Sequence, residues 1–214
     1  MIHMHETSAA TQPTNQSASP RTHTATDIAY IATFAALIIV LGAIAIPVGS
    51  AGVPIVLQNM GILLASMLLG MWRGGLTTTL FLGVGLLGVP NLSGWTPTIS
   101  ALAGPTVGYI VGYLISAFVV GAIAQLAPIQ ARTGAGATRF ALFVLAGLAG
   151  VLVQYACGTI GLMLRLNLDL PAAMATNLPF VPGDLLKIVA AAGIATAVVK
   201  AVPHLLPVSR SARR

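Results

Sequence analysis

The stretch Asp184-Leu-Leu-Lys187-Ile-Val-Ala-Ala-Ala-Gly-Ile-Ala-Thr-Ala-Val-Val-Lys200-Ala-Val-Pro-His-Leu-Leu206 decides the fold. It is apolar over about the 20 residues that a helix needs to cross a bilayer. It also opens on an acid and a base one helical turn apart, in a chain with almost no other charge. Over 214 residues, 57% are hydrophobic, 7% are charged and the mean hydropathy is +0.93. Soluble domains carry about 25% charged residues. The chain therefore reads as an all-α integral membrane protein, with no room for a second globular domain.

Working outward, apolar runs predict six membrane helices, at Ile28 to Ile46, Ile55 to Trp72, Leu76 to Val89, Ser100 to Leu126, Phe140 to Leu164 and Asp184 to Leu206. Turn-forming residues separate them: Pro47 and Gly49, Arg73-Gly74-Gly75, Pro90 to Pro97, Pro128 to Gly136, and Pro171 to Gly183. The second and third helices are short for a bilayer, which other helices or a water-filled cavity must shield. Residues 1–27 are polar, without an apolar period, and read as a disordered cytoplasmic tail. His3 and His5 are assigned to that tail rather than to a metal site. Residues 28–207 form the membrane domain and 208–214 a basic cytoplasmic tail. A signal peptide is not expected, since Arg21 lies far from Met1 and the first apolar run is too long.

With six spans, Arg21, Arg73, Arg132, Arg139, Lys200, Arg210, Arg213 and Arg214 all fall on one side. Lys and Arg are retained on the cytoplasmic side, so both the N and C termini are expected there. The opposite side keeps only Arg165 and Lys187. The net charge of +6 follows from this retention and from attraction to anionic membrane lipid. The basic residues are scattered and not interleaved with aromatics, which argues against nucleic acid.

Several motifs point away from catalysis. Gly83-Val-Gly-Leu-Leu-Gly88 fits a dinucleotide fingerprint in spacing, but no strand precedes it and no acid follows about 20 residues on. It reads as helix packing. No phosphate-binding G-x-x-x-x-G-K-[ST] occurs, so any ATP-driven work belongs to partners. The acids are Glu6, Asp27, Asp169 and Asp184, and His204 is expected at the face opposite Asp184. No carboxylate pair, Ser-His arrangement or metal-ligand cluster assembles on one side, and Cys157 reads as a small core residue. A membrane-embedded enzyme and an ion-coupled carrier are the rival classes; the carrier would need Asp184 as its titrating group.

Gly104, Gly108 and Gly112 open a groove on one helix face, read as helix packing. Ala32 and Ala36, with Ala29 and Thr33 beside them, form a similar seam on the first helix. Spacing alone leaves open whether it packs within the bundle or against another subunit. At the outer face, Asn91, Ser93, Trp95, Thr96 and Thr98 lie after the third span, and Arg165, Asn167, Asp169, Asn177 and Phe180 after the fifth. These read as the lid and mouth of a site. Asp184 gains from the helix N-terminus, and Lys187 faces the same side. Charges near the membrane interior pair with one another or mark a substrate path; on the residues alone, both readings stand.

Four segments occur in order: Pro54-Ile-Val-Leu-Gln-Asn-Met-Gly61, Gly85-Leu-Leu-Gly-Val-Pro90, Gly104-Pro-Thr-Val-Gly-Tyr109 and Pro179-Phe-Val-Pro-Gly-Asp-Leu-Leu-Lys187. Together they resemble the BioY family, the biotin-specific substrate-binding (S) components of energy-coupling-factor (ECF) transporters, over about residues 28 to 206. The resemblance implies the ECF S-component fold in the plasma membrane, with biotin held near the extracellular face. It implies no cofactor. The implied partners are a transmembrane coupling protein and two ABC-type ATPases, which alone use ATP.

The resemblance assigns Ala32 and Ala36 to docking on the coupling protein. It maps the family's Asp-x-x-Lys to Asp184 and Lys187, with Lys187 expected on the biotin carboxylate and Asp184 on the ureido group, or the reverse. Asn91 is expected at the ligand's polar end, with Trp95, Tyr155 and Tyr109 walling the thioether ring; Gln58 and Gln154 are further polar candidates, with binding to a neighbouring helix as the alternative use of a buried glutamine. The segment Asn91-Leu-Ser-Gly-Trp-Thr-Pro-Thr98 departs from the glycine- and phenylalanine-rich pattern of the family. An S component for another vitamin would share this fold and differ in the pocket.

Overall fold

The computed structural model describes residues 20–43, 45–47, 54–128, 134–203 and 205, with backbone alone at 20–23, 45–47 and 54–55. Most of the two expected tails, with His3, His5, Arg210, Arg213 and Arg214, lies outside the described residues, as do Arg132 and His204. In chain order the elements are α1 (Pro20–Gly42), β1 (Ala45–Pro47), β2 (Pro54–Val56), α2 (Gln58–Leu86), β3 (Pro90–Leu92), β4 (Thr96–Pro97), α3 (Thr98–Leu102), α4 (Val107–Ala124), α5 (Ala135–Leu166), α6 (Leu170–Ala175) and α7 (Val181–Ala201). Single 3-10 turns occupy Ser93–Trp95 and Leu178–Phe180.

Five helical stretches are long and apolar enough to cross a bilayer, and one of them crosses twice. Within α2, Gly70 has φ 76° and ψ −173°, a backbone region open essentially to glycine. Beyond it the chain doubles back. A Cβ on Gly74 would stand 2.7 Å from Ser66 Cα, whereas residues eight apart in an unbroken helix are separated by about 12 Å. Ile62, Ala65, Phe81 and Leu82 accordingly share one core cluster. The halves, 58–69 and 71–86, are about 18 and 24 Å long at 1.5 Å per residue, short of the roughly 30 Å hydrocarbon layer. Burial compensates: 72% of the most apolar window of α2 is buried, against 17% for α1. The six predicted membrane helices are thus present, with the second break at Gly70 rather than at Arg73-Gly74-Gly75. Gly74 and Gly75 serve close packing instead, against Ser66 and the Phe118 ring.

One end of the bundle is fixed by Arg73. Its Nη2 lies 2.6 Å from Asp27 Oδ1 at the start of α1, and its Nη1 donates to Leu205 O, 3.5 Å away, just past α7. The first and last described helices therefore begin and end together, and Arg139, which donates to Pro128 O at 2.8 and 3.0 Å, lies near the same end.

At the other end two antiparallel hairpins cover the bundle. In β1·β2, Ala45 pairs with Val56 and Pro47 with Pro54; in β3·β4, Pro90 pairs with Pro97 and Leu92 with Thr96. Below them α4 and α5 pack with backbones nearly touching. A Cβ on Gly112 would stand 2.9 Å from Gln154 Cα, one on Gly161 would stand 2.7 Å from Gly108 Cα, and one on Gly108 would overlap Cys157 O. Gly104 takes no part, its nearest neighbour being Ala101 O. The main core joins Leu63, Met67, Val120, Phe143, Ile188 and Ala195.

Several boundaries differ from the sequence reading: the span expected from Ser100 to Leu126 is broken at 103–106 into α3 and α4, and α5 and α7 start at Ala135 and Val181 rather than at Phe140 and Asp184. α1 begins at Pro20, inside the stretch read as tail, since a polar first turn extends a helix beyond its apolar run. The connection from Pro171 to Gly183 holds the short helix α6, which Asp169 caps: its side chain accepts from Ala172 N at 3.0 Å, and a proline follows in the first turn. That is the usual construction of a helix start.

Candidate functional site

Beneath the hairpins lies a cavity of about 460 Å³, within the range of about 300–1,000 Å³ of small-molecule sites. Its charged floor comes from the first turns of α7, where Asp184 and Lys187 are 5% and 8% exposed. Lys187 Nζ donates to Asp184 Oδ1 at 2.9 Å and to Asn59 Oδ1 at 3.0 Å. Asn59 Nδ2 donates back to Asp184 Oδ1 at 2.9 Å, and the Tyr155 hydroxyl donates to Asp184 Oδ2 at 2.7 Å. The acid is thus held by three donors from α2, α5 and α7. Lys187 uses two of its three N–H groups among the described residues, which leaves one for a ligand.

The two residues bind each other, and both line the cavity. Burial makes the closed network necessary, because a charge removed from water without partners is severely penalised. Asn59 lies within the quoted segment Pro54 to Gly61 but was not singled out. Its signal was position: it starts a buried helix directly after Gln58, where a polar side chain needs a partner.

Tyr109, Tyr155 and Gln58 also line the cavity, as does Gln154. Tyr113 and Ile110 add apolar surface that sequence reasoning missed, while Phe180, Ser93 and Thr96, expected at the lid and mouth, also line the cavity. Asn177 fastens the segment after α6 over this wall. Its Oδ1 accepts from the Tyr109 hydroxyl at 2.6 Å, and its Nδ2 donates to Thr159 Oγ1 at 3.0 Å.

Two residues expected at the ligand are not among those lining the cavity. Asn91 is 1% exposed and does not line the cavity; its side chain is used up in holding the hairpin. Asn91 Nδ2 donates to Phe81 O at 2.7 Å and to Thr98 Oγ1 at 2.9 Å, while Asn91 Oδ1 accepts from Thr98 N at 3.0 Å. Trp95 stands in the 3-10 turn with φ 58° and its side chain faces away, 66% exposed. The turn instead presents Ser93 and Thr96, its neighbours in sequence, to the cavity. Arg165 lies outside too, donating to Leu102 O at 2.9 Å. Ala32 and Ala36 are exposed on the outer face of α1, with Ala29 and Thr33, whereas Ala35 and Ile38 face inward.

Six crossing helices around a polar-floored, aromatic-walled cavity at one end define an integral membrane protein that holds a small amphipathic ligand. The model of the BioY family matches residues 12–204. The chain is 37% identical over 162 residues to the biotin transporter BioY of Rhodobacter capsulatus, covering 70% of this chain and 80% of that one. It is 34% identical over 150 residues to the biotin transporter BioY of Rhizobium etli, covering 70% and 79%. It is also similar to the crystal structure of the S-component for biotin from an ECF-type ABC transporter, with a TM-score of 0.73 and 31% identity over 86% of this chain and 95% of that chain. The chain belongs to the BioY family. Membership places it among transport proteins rather than enzymes.

Proposed function

We propose that the chain is the biotin-binding subunit of an ECF uptake system in the plasma membrane, capturing biotin from outside for import by ATP-driven partners. The observation that carries this reading is the buried Asp184–Lys187–Asn59 cluster on the floor of an otherwise largely aromatic and aliphatic cavity. Biotin has the matching polarity. Its carboxylate takes the remaining N–H of Lys187, its ureido ring meets Asp184, and its thioether ring and aliphatic chain lie against Tyr109, Tyr113 and Phe180. The names of the curated relatives support the choice of biotin over another vitamin.

The energy is adequate. Nanomolar affinity needs about −12 kcal/mol, which over the roughly 16 heavy atoms of biotin is about −0.75 kcal/mol each, inside the bounds for small ligands. Arg73, Arg139 and Lys200 belong to the end away from the cavity, which supports cytoplasmic termini and an outward-facing site. Ala32 and Ala36 supply the surface for the transmembrane coupling protein, being small, exposed and on the least buried span. Such residues let helices approach closely in lipid. Two ABC-type ATPases consume the ATP, and this chain needs no cofactor. Reorientation by these partners then opens the cavity inward.

Cells without their own biotin synthesis and uptake test this reading. Expression of the chain with an ECF coupling protein and its ATPases should restore growth and labelled-biotin uptake at nanomolar biotin. No uptake despite assembled, membrane-inserted complex would contradict it.

A further inference from the structure

Gln58 and Gln154 both line the cavity, and each has the nitrogen end of its amide tied down behind the wall. Gln58 Nε2 donates to Asn91 O at 2.6 Å and to Ile38 O at 3.3 Å. A backbone carbonyl only accepts, so this fixes which end of the amide is nitrogen. Gln154 Nε2 donates to Ser116 Oγ at 3.0 Å, and Ser116 spends its own hydroxyl hydrogen on Tyr113 O at 3.0 Å. Ser116 Oγ is then the acceptor, and the second amide is oriented as well. The two residues are 3% and 2% exposed, and neither Oε1 accepts a hydrogen bond among the described residues. Neither oxygen is fully sealed, since the buried side-chain atom without a partner among the described residues is Ser66 Oγ, so each stands open to a donor.

The acceptor count points the same way. A carboxylate offers about four lone-pair sites, and Asp184 already receives Lys187, Asn59 and Tyr155. One further donor can be accommodated there, whereas a cyclic urea brings two ring N–H groups. We infer that Gln58 and Gln154 are N–H readers of the site: their amide oxygens, fixed by the bonds behind them, select a ligand whose ring carries N–H donors. This assignment rests on the biotin reading and adds to it the residues that read the ring.

The test compares biotin with the two carbamate analogues in which one or the other ring N–H is replaced by oxygen. Binding is measured to the intact chain and to Gln154→Met, Gln154→Glu and Gln58→Met. The intact chain should prefer biotin over at least one analogue by about tenfold or more, the discrimination of a hydrogen bond left unmade. In Gln154→Met or Gln58→Met that preference should collapse, while Gln154→Glu, which keeps an acceptor, should retain it. The preference ratio distinguishes reading from folding, because a damaged fold weakens biotin and analogue alike. An unchanged ratio in both methionine variants overturns the assignment. Failure of the folded, intact chain to bind biotin at all overturns the biotin reading and this assignment with it.

Discussion

Lys187 Nζ stands 2.9 Å from Asp184 Oδ1, one turn along the same helix, and Asn59 from α2 bridges them by donating to the acid and accepting from the base. The ion pair is therefore a three-residue unit clamped between two helices, and a ligand carboxylate adds a second anion to a cation already half neutralised. Removing the cation leaves two anions facing each other. Lys187→Ala should weaken biotin binding at least about a hundredfold, since a buried charge stripped of its partner costs about 3–5 kcal/mol. Equilibrium binding to the purified variant checks this, and an affinity within threefold of the intact chain, on the order of 0.6 kcal/mol, would remove Lys187 from the site.

Tyr155 contributes through its hydroxyl as well as its ring, because it holds Asp184 Oδ2 at 2.7 Å. Tyr155→Phe keeps the aromatic wall and deletes one of three donors to the acid. A buried polar group losing a partner costs about 1–3 kcal/mol. Biotin affinity should fall about fivefold to a hundredfold by titration, with thermal unfolding changed far less than by a core truncation.

Asp184 and Lys187 stood out in the sequence, because charge in a nearly uncharged apolar chain is conspicuous. Asn91 and Trp95 lie away from the cavity lining for a physical reason: in a tight hairpin, asparagine satisfies backbone groups and a left-handed turn sends its tryptophan outward, and sequence shows neither. The six spans were legible from hydropathy alone. The break in α2 was not, because glycine both permits turns and allows close packing. Gly70 turns the chain while Gly74 and Gly75 receive Ser66 and Phe118, yet all three look alike in the sequence. The role of Asn59 depends on a partner 125 residues away, beyond the reach of any local pattern.

Gly70→Ala tests the reversal directly. At φ 76° and ψ −173° a side chain is strained by about 1–3 kcal/mol. The variant should unfold at a lower temperature in detergent, or accumulate poorly in membranes. Unaltered unfolding would mean that α2 does not turn there.

The contact between α4 and α5 gives a paired prediction. Gly108 admits no Cβ without moving the α5 backbone, whereas a Cβ on Gly193 meets nothing within 4 Å. Gly108→Ala should destabilise by about 1–3 kcal/mol, the usual cost of overpacking. Gly193→Ala should be neutral or gain up to about 1 kcal/mol in helix propensity. Thermal unfolding of both variants side by side checks the difference, and equal behaviour would contradict the close backbone packing.

Calorimetric titration of biotin into the purified, detergent-solubilised chain, with thiamin and riboflavin alongside, tests the central claim most directly. The cavity over Asp184 and Lys187 predicts one-to-one binding of biotin at about nanomolar Kd, without any other subunit and without comparable heat from the other vitamins. No biotin binding by a sample that unfolds cooperatively, or equal binding of all three vitamins, would contradict it.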